Sequence, residues 1–396
     1  MQTIHVTGTC DTKGEEIAYL RDLIVAAGHR AVIVDLGTHP PQVTPDISAR
    51  AVAACHPDGA AISRTDRGAA VTGMGTAFAA WCLANAGSIA GIIAVGGGGG
   101  TSIACQGMRE LPYGLPKLMV STLASGDTAP YIGTSDIVMV PSVTDIAGLN
   151  RLSRVILSNA AHALVGAVAA PSPAPASDLP ALGLTMFGVT TPCVTAIADQ
   201  LRSRYDCLVF HATGTGGRAM ERLLDQGLLG GLIDITTTEI ADLLCGGVLA
   251  ALPDRLDVVA RTGAPWVGSV GALDMVNFWA PATVPDHYRD RLFYHHNPNV
   301  TLMRTTADEN ARLGRWIGTK LNACAGPVRL LIPEKGVSAL DIQGGPFWSP
   351  EADAALFDAL RDTLMDKARL IPLPCHINDP AFAKAAADAF LSLTEP

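Results

Sequence analysis

Aromatic residues make up only 5% of this 396-residue chain, and charged residues only 16%. So few aromatics exclude an aromatic-rich surface and favour close packing of small side chains between helices and sheets. No Lys/Arg run is long enough to follow a phosphate backbone, and the formal net charge is −9. Generic nucleic-acid binding is therefore excluded. Neither CxxC nor a Cys/His zinc spacing occurs among the nine cysteines. Their odd number and apolar or glycine-flanked settings fit reduced thiols, and so a cytoplasmic protein. The chain begins on a strand-like run, Thr3–Thr7, so no signal peptide is expected, and no stretch reads as apolar and long enough to span a bilayer, so no membrane partner is expected. Gly-x-Ser-x-Gly, His-Glu-x-x-His, a P-loop and a resolvable Ser–His–Asp order are all missing.

What is present is 48% hydrophobic residues in a chain too long for one ordinary core. Two domains are expected. The proline-dense stretch from Pro171 to Pro180 divides them, giving 1–175 and 180–396. In each half, short apolar runs alternate with helical periodicity. Strands are expected at Thr3–Thr7, Ala31–Leu36, Gly91–Val95, Leu182–Phe187, Cys207–His211 and Val258–Ala260, among others. Helices are expected at Gly14–Ala27, Arg151–Ala169 and Met303–Asn322, among others. The fold class is α/β: two Rossmann-like doubly wound lobes, with ligand expected in a cleft between them.

The strongest local signal is Gly96–Gly100, five glycines after the strand-like Gly91–Val95. Each glycine costs backbone entropy, so the run needs a reason. A backbone that closely approaches a phosphate at a helix start is one, with Thr101 or Ser102 offering a hydroxyl. Gly8-Thr-Cys-Asp-Thr-Lys13 adds a carboxylate and a lysine at a second helix start. Lys13 would pair a phosphate, and Asp11 would hold Mg²⁺ or a ribose hydroxyl. His211-Ala-Thr-Gly-Thr-Gly-Gly217 repeats the strand–turn–helix pattern and reads as the counterpart of the glycine run. Cofactor contacts are thus expected at Asp11, Thr12, Lys13, Gly97, Gly98, Gly99, Gly100, Thr101, Thr213, Gly214, Gly216 and Gly217. Asp11 is the metal candidate. The catalytic candidates are His211, Glu239, Lys335 and His376, all at predicted strand ends. Asp274 and Asn277 are either paired in the core or part of a site. The adjacent His295 and His296 cannot both face one ligand from a regular strand.

Together these motifs resemble the Tm-one-like ATP-binding family, long described as an uncharacterised protein family. The resemblance rests on Gly8–Lys13, Gly96–Thr101, His211–Gly217, Thr236–Glu239, Gly271-Ala-Leu-Asp-Met-Val-Asn-Phe278 and Glu334-Lys-Gly-Val-Ser-Ala-Leu-Asp341, spread over nearly the whole chain. It implies two α/β subdomains, ATP binding and a homo-oligomer; Mg²⁺ is expected beside the nucleotide on the strength of Asp11. It leaves any reaction open. The expected ligand is a nucleotide. The alternatives are a small-molecule catabolic enzyme that takes an acidic metabolite in the same cleft, and a non-enzymatic sensing or interaction protein.

Overall fold

The computed structural model describes residues 3–59, 62, 65–170 and 178–394. Most of the proline-dense stretch, residues 171–177, lies outside the described residues. The chain forms two compact units, Met1–Ala174 and Pro175–Pro396.

In the N-terminal unit five strands make one parallel sheet. They are β1 (Thr3–Gly8), β2 (Ala31–Asp35), β3 (Ile89–Gly96), β4 (Lys117–Ser121) and β5 (Val138–Pro141), in the order β2-β1-β3-β4-β5. The helices are α1 (Gly14–Ala26), α2 (Ala49–Ala53), α3 (Arg67–Asn85), α4 (Gly98–Met108), α5 (Ala129–Ile132) and α6 (Arg151–Ala169). Successive strand side chains point to opposite faces, and β3 shows the result. Ile93 and Val95 pack with Ile17 and Leu20 of α1 and Leu157 of α6. Ile92 and Ala94 pack with Phe78 of α3 and Ile103 of α4. A strand buried on both faces must read as a continuous apolar run, as β3 does.

By length and composition α6 is able to cross a membrane, contrary to the sequence expectation. Here it lies along the sheet and buries Leu157, Ala160, Ala161 and Leu164. Its start is fixed by Asn150, which accepts from the N–H groups of Leu152 and Ser153.

The C-terminal unit repeats the plan. Its parallel sheet has six strands: β6 (Ala181–Met186), β7 (Asp206–His211), β8 (Leu232–Thr236), β9 (Trp266–Gly271), β13 (Val328–Pro333) and β14 (Leu370–Leu373). Their order is β14-β13-β9-β8-β6-β7. A separate antiparallel sheet has the order β10-β12-β11, from β10 (Met275–Phe278), β11 (Phe293–Asn297) and β12 (Val300–Arg304). One face of the large sheet carries α7 (Thr191–Leu201) and α13 (Pro380–Thr394). The other core gathers α8 (Thr215–Asp225), α9 (Thr238–Cys245), α10 (Asp257–Thr262), α11 (Ala307–Asn322) and α12 (Pro350–Thr363). Both units are therefore α/β, parallel and doubly wound, as the sequence leads one to expect.

Two expected elements differ. Val258–Ala260, expected as a strand, lies within α10, where Val258 and Val259 are buried. Tertiary burial overrides local propensity there. Met303 belongs to β12, and α11 begins only at Ala307. Thr306 and Glu309 form a reciprocal capping box at that start.

Candidate functional site

Read from its β2 edge, the N-terminal sheet runs 2-1-3-4-5, so chain direction switches between β1 and β3. Loops diverge at such a point and leave a crevice at the carboxyl ends of the strands. A cavity of about 430 Å³ lies there. Asp11, Thr12 and Lys13 line it from the loop after β1, and Gly97–Gly100 from the turn after β3. Thr38, His39 and Arg67 complete the parts that bear on the chemistry.

The glycine turn makes the start of α4. Gly97 is its N-cap, and Gly98, Gly99 and Gly100 open the helix, so their N–H groups have no earlier carbonyl within it. None of these glycines has a positive φ. Beyond its own turn, a Cβ on Gly97 would come no closer than 3.8 Å to another atom, on Gly98 3.6 Å and on Gly100 4.0 Å. Packing requires glycine more strongly at Gly96, whose Cβ would come within 3.1 Å of Gly100 Cα. Neither backbone conformation nor internal packing accounts for Gly97, Gly98 and Gly100. Thr101 is fully buried, and its hydroxyl bonds Ser121 Oγ at 2.7 Å. Ser102 turns back onto the Gly98 carbonyl. Neither hydroxyl is presented to the cavity as the sequence reading expects.

Asp11 staples two loops together. Its Oδ2 accepts from the N–H groups of Thr38 and His39 at 3.1 and 3.0 Å, while Oδ1 is buried without a partner. The Lys13 ammonium donates to the Ile146 carbonyl. Two further residues escaped the sequence reading. Arg67 lines the cavity and has no hydrogen-bond or ion-pair partner among the described residues. Asp35, at the end of β2, is 2% exposed, and its Oδ1 accepts from Cys10 N at 3.0 Å and Gly37 N at 2.8 Å. Burial first, then the Asp35 charge, pushes the Cys10 thiol far up, so it stays neutral. Asp35 also lines a second cavity, about 590 Å³, walled by Thr38, His39, Pro40, Pro41 and Met74. The signal for Asp35 was there to read: an apolar strand ending in an acid, one strand after the first glycine turn. Among the described residues no group of three His, Cys, Asp or Glu is placed to hold a metal.

In the C-terminal unit, strand order changes the pairing of the loops. β6, β7 and β8 take the places of β1, β2 and β3. The counterpart of the Gly96–Gly100 turn is thus Thr236–Thr238, and the Thr213–Gly217 loop corresponds to the loop after β2. The Thr236 hydroxyl bonds that of Thr190 at 2.7 Å, and Thr237 donates to the Ser269 carbonyl. All three threonines are buried. The glycines at 214, 216 and 217 have internal reasons. Gly214 has φ 77°; a Cβ on Gly216 would strike the His211 carbonyl, and one on Gly217 would strike the Glu239 carboxylate. Gly214 N–H donates to Glu239 Oε2 at 2.7 Å, so the anion at this helix start is the protein's own.

Glu239 is wholly buried and pairs with Arg255 Nε at 2.6 Å. The same guanidinium holds Glu221 at 2.7 Å and Asp234 at 2.8 Å. This is a structural node, not a free catalytic acid. Both ring nitrogens of His376 are engaged, Nε2 with the Ser338 carbonyl at 2.8 Å and Nδ1 with Asn378 N–H at 3.1 Å. His211 is exposed and stacks on Phe187 at 5.2 Å. Lys335 is exposed. The loop that carries His376 reaches back over the sheet toward the loop after β6, where Asn378 Nδ2 donates to the Val189 carbonyl at 3.0 Å. Of the four candidates, Glu239 and His376 are committed to internal partners, while His211 and Lys335 are exposed.

Asp274 lies in a second buried group with Ser338, Arg304, Asp341 and Asp353. Ser338 donates to Asp274 at 2.7 Å, and Arg304 pairs with Asp353 at 2.8 Å. Burial and the neighbouring Asp341 charge push Asp274 up to about 7 and Asp353 up to about 8. Burial pushes Asp242 to about 7 as well. A folded-state value above the unfolded one favours the fold while the group is protonated, and that contribution is lost as pH rises. The melting temperature of the C-terminal unit is therefore expected to fall between pH 5 and pH 8.5. Asp353→Asn is expected to flatten the slope; calorimetry across that range checks both.

Comparison with known proteins adds two findings. Family models described as the N-terminal and C-terminal domains of the uncharacterised protein family UPF0261 match residues 2–173 and 179–394. A UPF0261 protein of Mesorhizobium japonicum is 64% identical over 99% of both chains. One of Clostridium tetani is 46% identical, again over 99% of both. The tomato ToMV resistance protein Tm-1 is 41% identical over 98% of this chain and 55% of its own. The resemblance read from the motifs is thereby borne out.

Proposed function

The chain belongs to the UPF0261 family, and on that premise we propose that its N-terminal unit binds a nucleotide such as ATP at the β1/β3 switch point. One observation carries this reading. Gly97, Gly98 and Gly100 open a helix into a cavity, and neither φ nor packing requires glycine there. A phosphate that must reach backbone N–H groups does require it. The helix start favours negative charge, and Lys13 and Arg67 add two cations in a chain otherwise short of them. The Asp35 cavity beside it, walled by prolines and Met74, suits a nucleoside, with the carboxylate accepting from a ribose hydroxyl. Asp11 Oδ1 is the acid oxygen left over for a Mg²⁺ that arrives with the phosphates.

Isothermal titration of the full chain with ATP, with and without Mg²⁺, tests this. A Kd between about 1 µM and 1 mM is expected. Asp35→Asn should weaken ATP by about tenfold and inorganic triphosphate hardly at all, because it removes a charge-assisted contact to the sugar alone. No heat and no thermal shift at millimolar ATP would overturn the reading.

A further inference from the structure

A third cavity, about 480 Å³, opens at the carboxyl ends of β4 and β5. It shares no lining residue with the cavity at Asp11 and Arg67. Thr122 stands between them: its Oγ1 lies 3.8 Å from the position a Cβ on Gly97 would take. The cavity therefore abuts the glycine turn from the far side.

Val143 lines this cavity with φ 63°, and the residue is 75% exposed. Thr144 N–H donates to the Ser142 carbonyl at 2.7 Å, closing a three-residue turn around it. Ser142 Oγ donates to the Thr144 carbonyl at 2.6 Å and ties the turn again. Left-handed three-residue turns are rare and strained, and a β-branched residue is the worst suited to the conformation. Burial does not explain the valine, since its side chain faces outward. Strain kept at an exposed position inside a cavity points to a function for that side chain.

The rest of the lining defines the ligand. Thr122 and Ser125 present hydroxyls with no hydrogen-bond partner among the described residues. Among the described residues Asp145 is the one charged side chain on the wall, and no Lys, Arg or His lines it. Hydroxyls that both donate and accept match other hydroxyls or amines. An anion would meet a like charge, with no cation in the lining to offset it. Val143 and Pro141 supply an apolar face for a carbon skeleton.

We propose that this cavity is a second ligand subsite, for a small polyol or amino alcohol whose carbon face rests on Val143. The site stands on its own residues and does not depend on nucleotide binding next door.

Ligand-observed NMR on the full chain tests it without nucleotide, using erythritol, ethanolamine and malonate as probes. Concentrations up to about 50 mM suit ligands of so few atoms. Erythritol or ethanolamine is expected to bind and malonate not to. Ser125→Ala should weaken the bound probe about fivefold, one hydrogen bond's worth. Val143→Gly should weaken it by at least about threefold yet melt no lower than the parent, because relieved strain offsets the added chain entropy. Asp145→Asn should cost ethanolamine more than erythritol. The proposal falls if neither probe binds, if malonate binds best, or if Val143→Gly leaves binding intact. It also falls if Val143→Gly melts well below the parent, since the valine would then serve packing.

Discussion

Alanine at Gly98 and Gly100 together is expected to cost at least tenfold in ATP affinity while leaving the N-terminal unit as stable as before, or more so. Each added methyl makes only ordinary contacts beyond its own turn: the nearest atoms are Leu123 Cδ1 at 3.6 Å and the Val95 carbonyl oxygen at 4.0 Å. Both positions are helical with ordinary φ. Alanine there should gain about 0.5–1 kcal/mol per site over glycine. The same methyls stand over the N–H groups that a phosphate oxygen must approach within hydrogen-bond distance. Losing one or two such contacts corresponds to at least about 1.4 kcal/mol, or tenfold. Calorimetric melting and ATP titration of the double variant read the two effects separately. Unchanged ATP affinity would remove the glycine turn from the site. Gly217→Ala makes the contrast: its methyl falls on the Glu239 carboxylate, so it should destabilise the C-terminal unit and leave ATP binding alone.

That contrast also marks how far the sequence could be read. Strands buried on both faces announce themselves as apolar runs, which is why β1, β3, β6 and β8 were legible. Glycine-rich strand ends were legible too, because five glycines in a row are too costly to be incidental. A glycine has two kinds of reason, however. At Gly214, Gly216 and Gly217 the reason is inside the protein, a φ of 77°, a carbonyl and a carboxylate. At Gly97, Gly98 and Gly100 no internal reason is found. Composition treats these alike, and only the space around each Cβ separates them. Glu239 looked like a free acid because its partner, Arg255, stands sixteen residues away beyond a turn. Asp11 and Asp35 were unequally legible. Asp11 follows β1 in a motif that stands out, and it spends an oxygen on the loop over it, while Asp35 ends β2 and lines the second cavity, a placement that only strand order reveals. Strand order is fixed by long-range pairing, so the β7/β8 assignment could not come from local pattern. The small antiparallel sheet was partly missed for the same reason: β10 and β12 are four and five residues long and are defined by each other.

Arg255→Met should be among the most destabilising single substitutions in the C-terminal unit. The guanidinium is 2% exposed and satisfies three carboxylates from three elements: Glu221 on α8, Asp234 on β8 and Glu239 on α9. Methionine fills comparable volume but leaves these acids buried without a counter-charge. Breaking one buried pair costs roughly 3–5 kcal/mol. For a unit of this size each kcal/mol lowers the melting temperature by about 2–4 °C, so a fall of at least about 10 °C is expected. The loss should be smaller at pH 5 than at pH 8. Burial already raises Glu221 with Arg255 present, and removing the cation raises it further. The protonated form then favours folding, and that contribution fades as pH rises. Adding Glu221→Gln, Asp234→Asn and Glu239→Gln to Arg255→Met should restore much of the loss, since the penalty belongs to the unpaired charges and not to the missing arginine. The Glu239 contact to Gly214 N–H survives in weaker form through the amide oxygen, so the loop after β7 should keep its path. Calorimetry on the single and quadruple variants at both pH values separates charge from packing. A single variant that melts with the parent, or a quadruple variant no better than the single one, would show that the carboxylates are protonated or hydrated in the native fold and that Arg255 is held there for another reason.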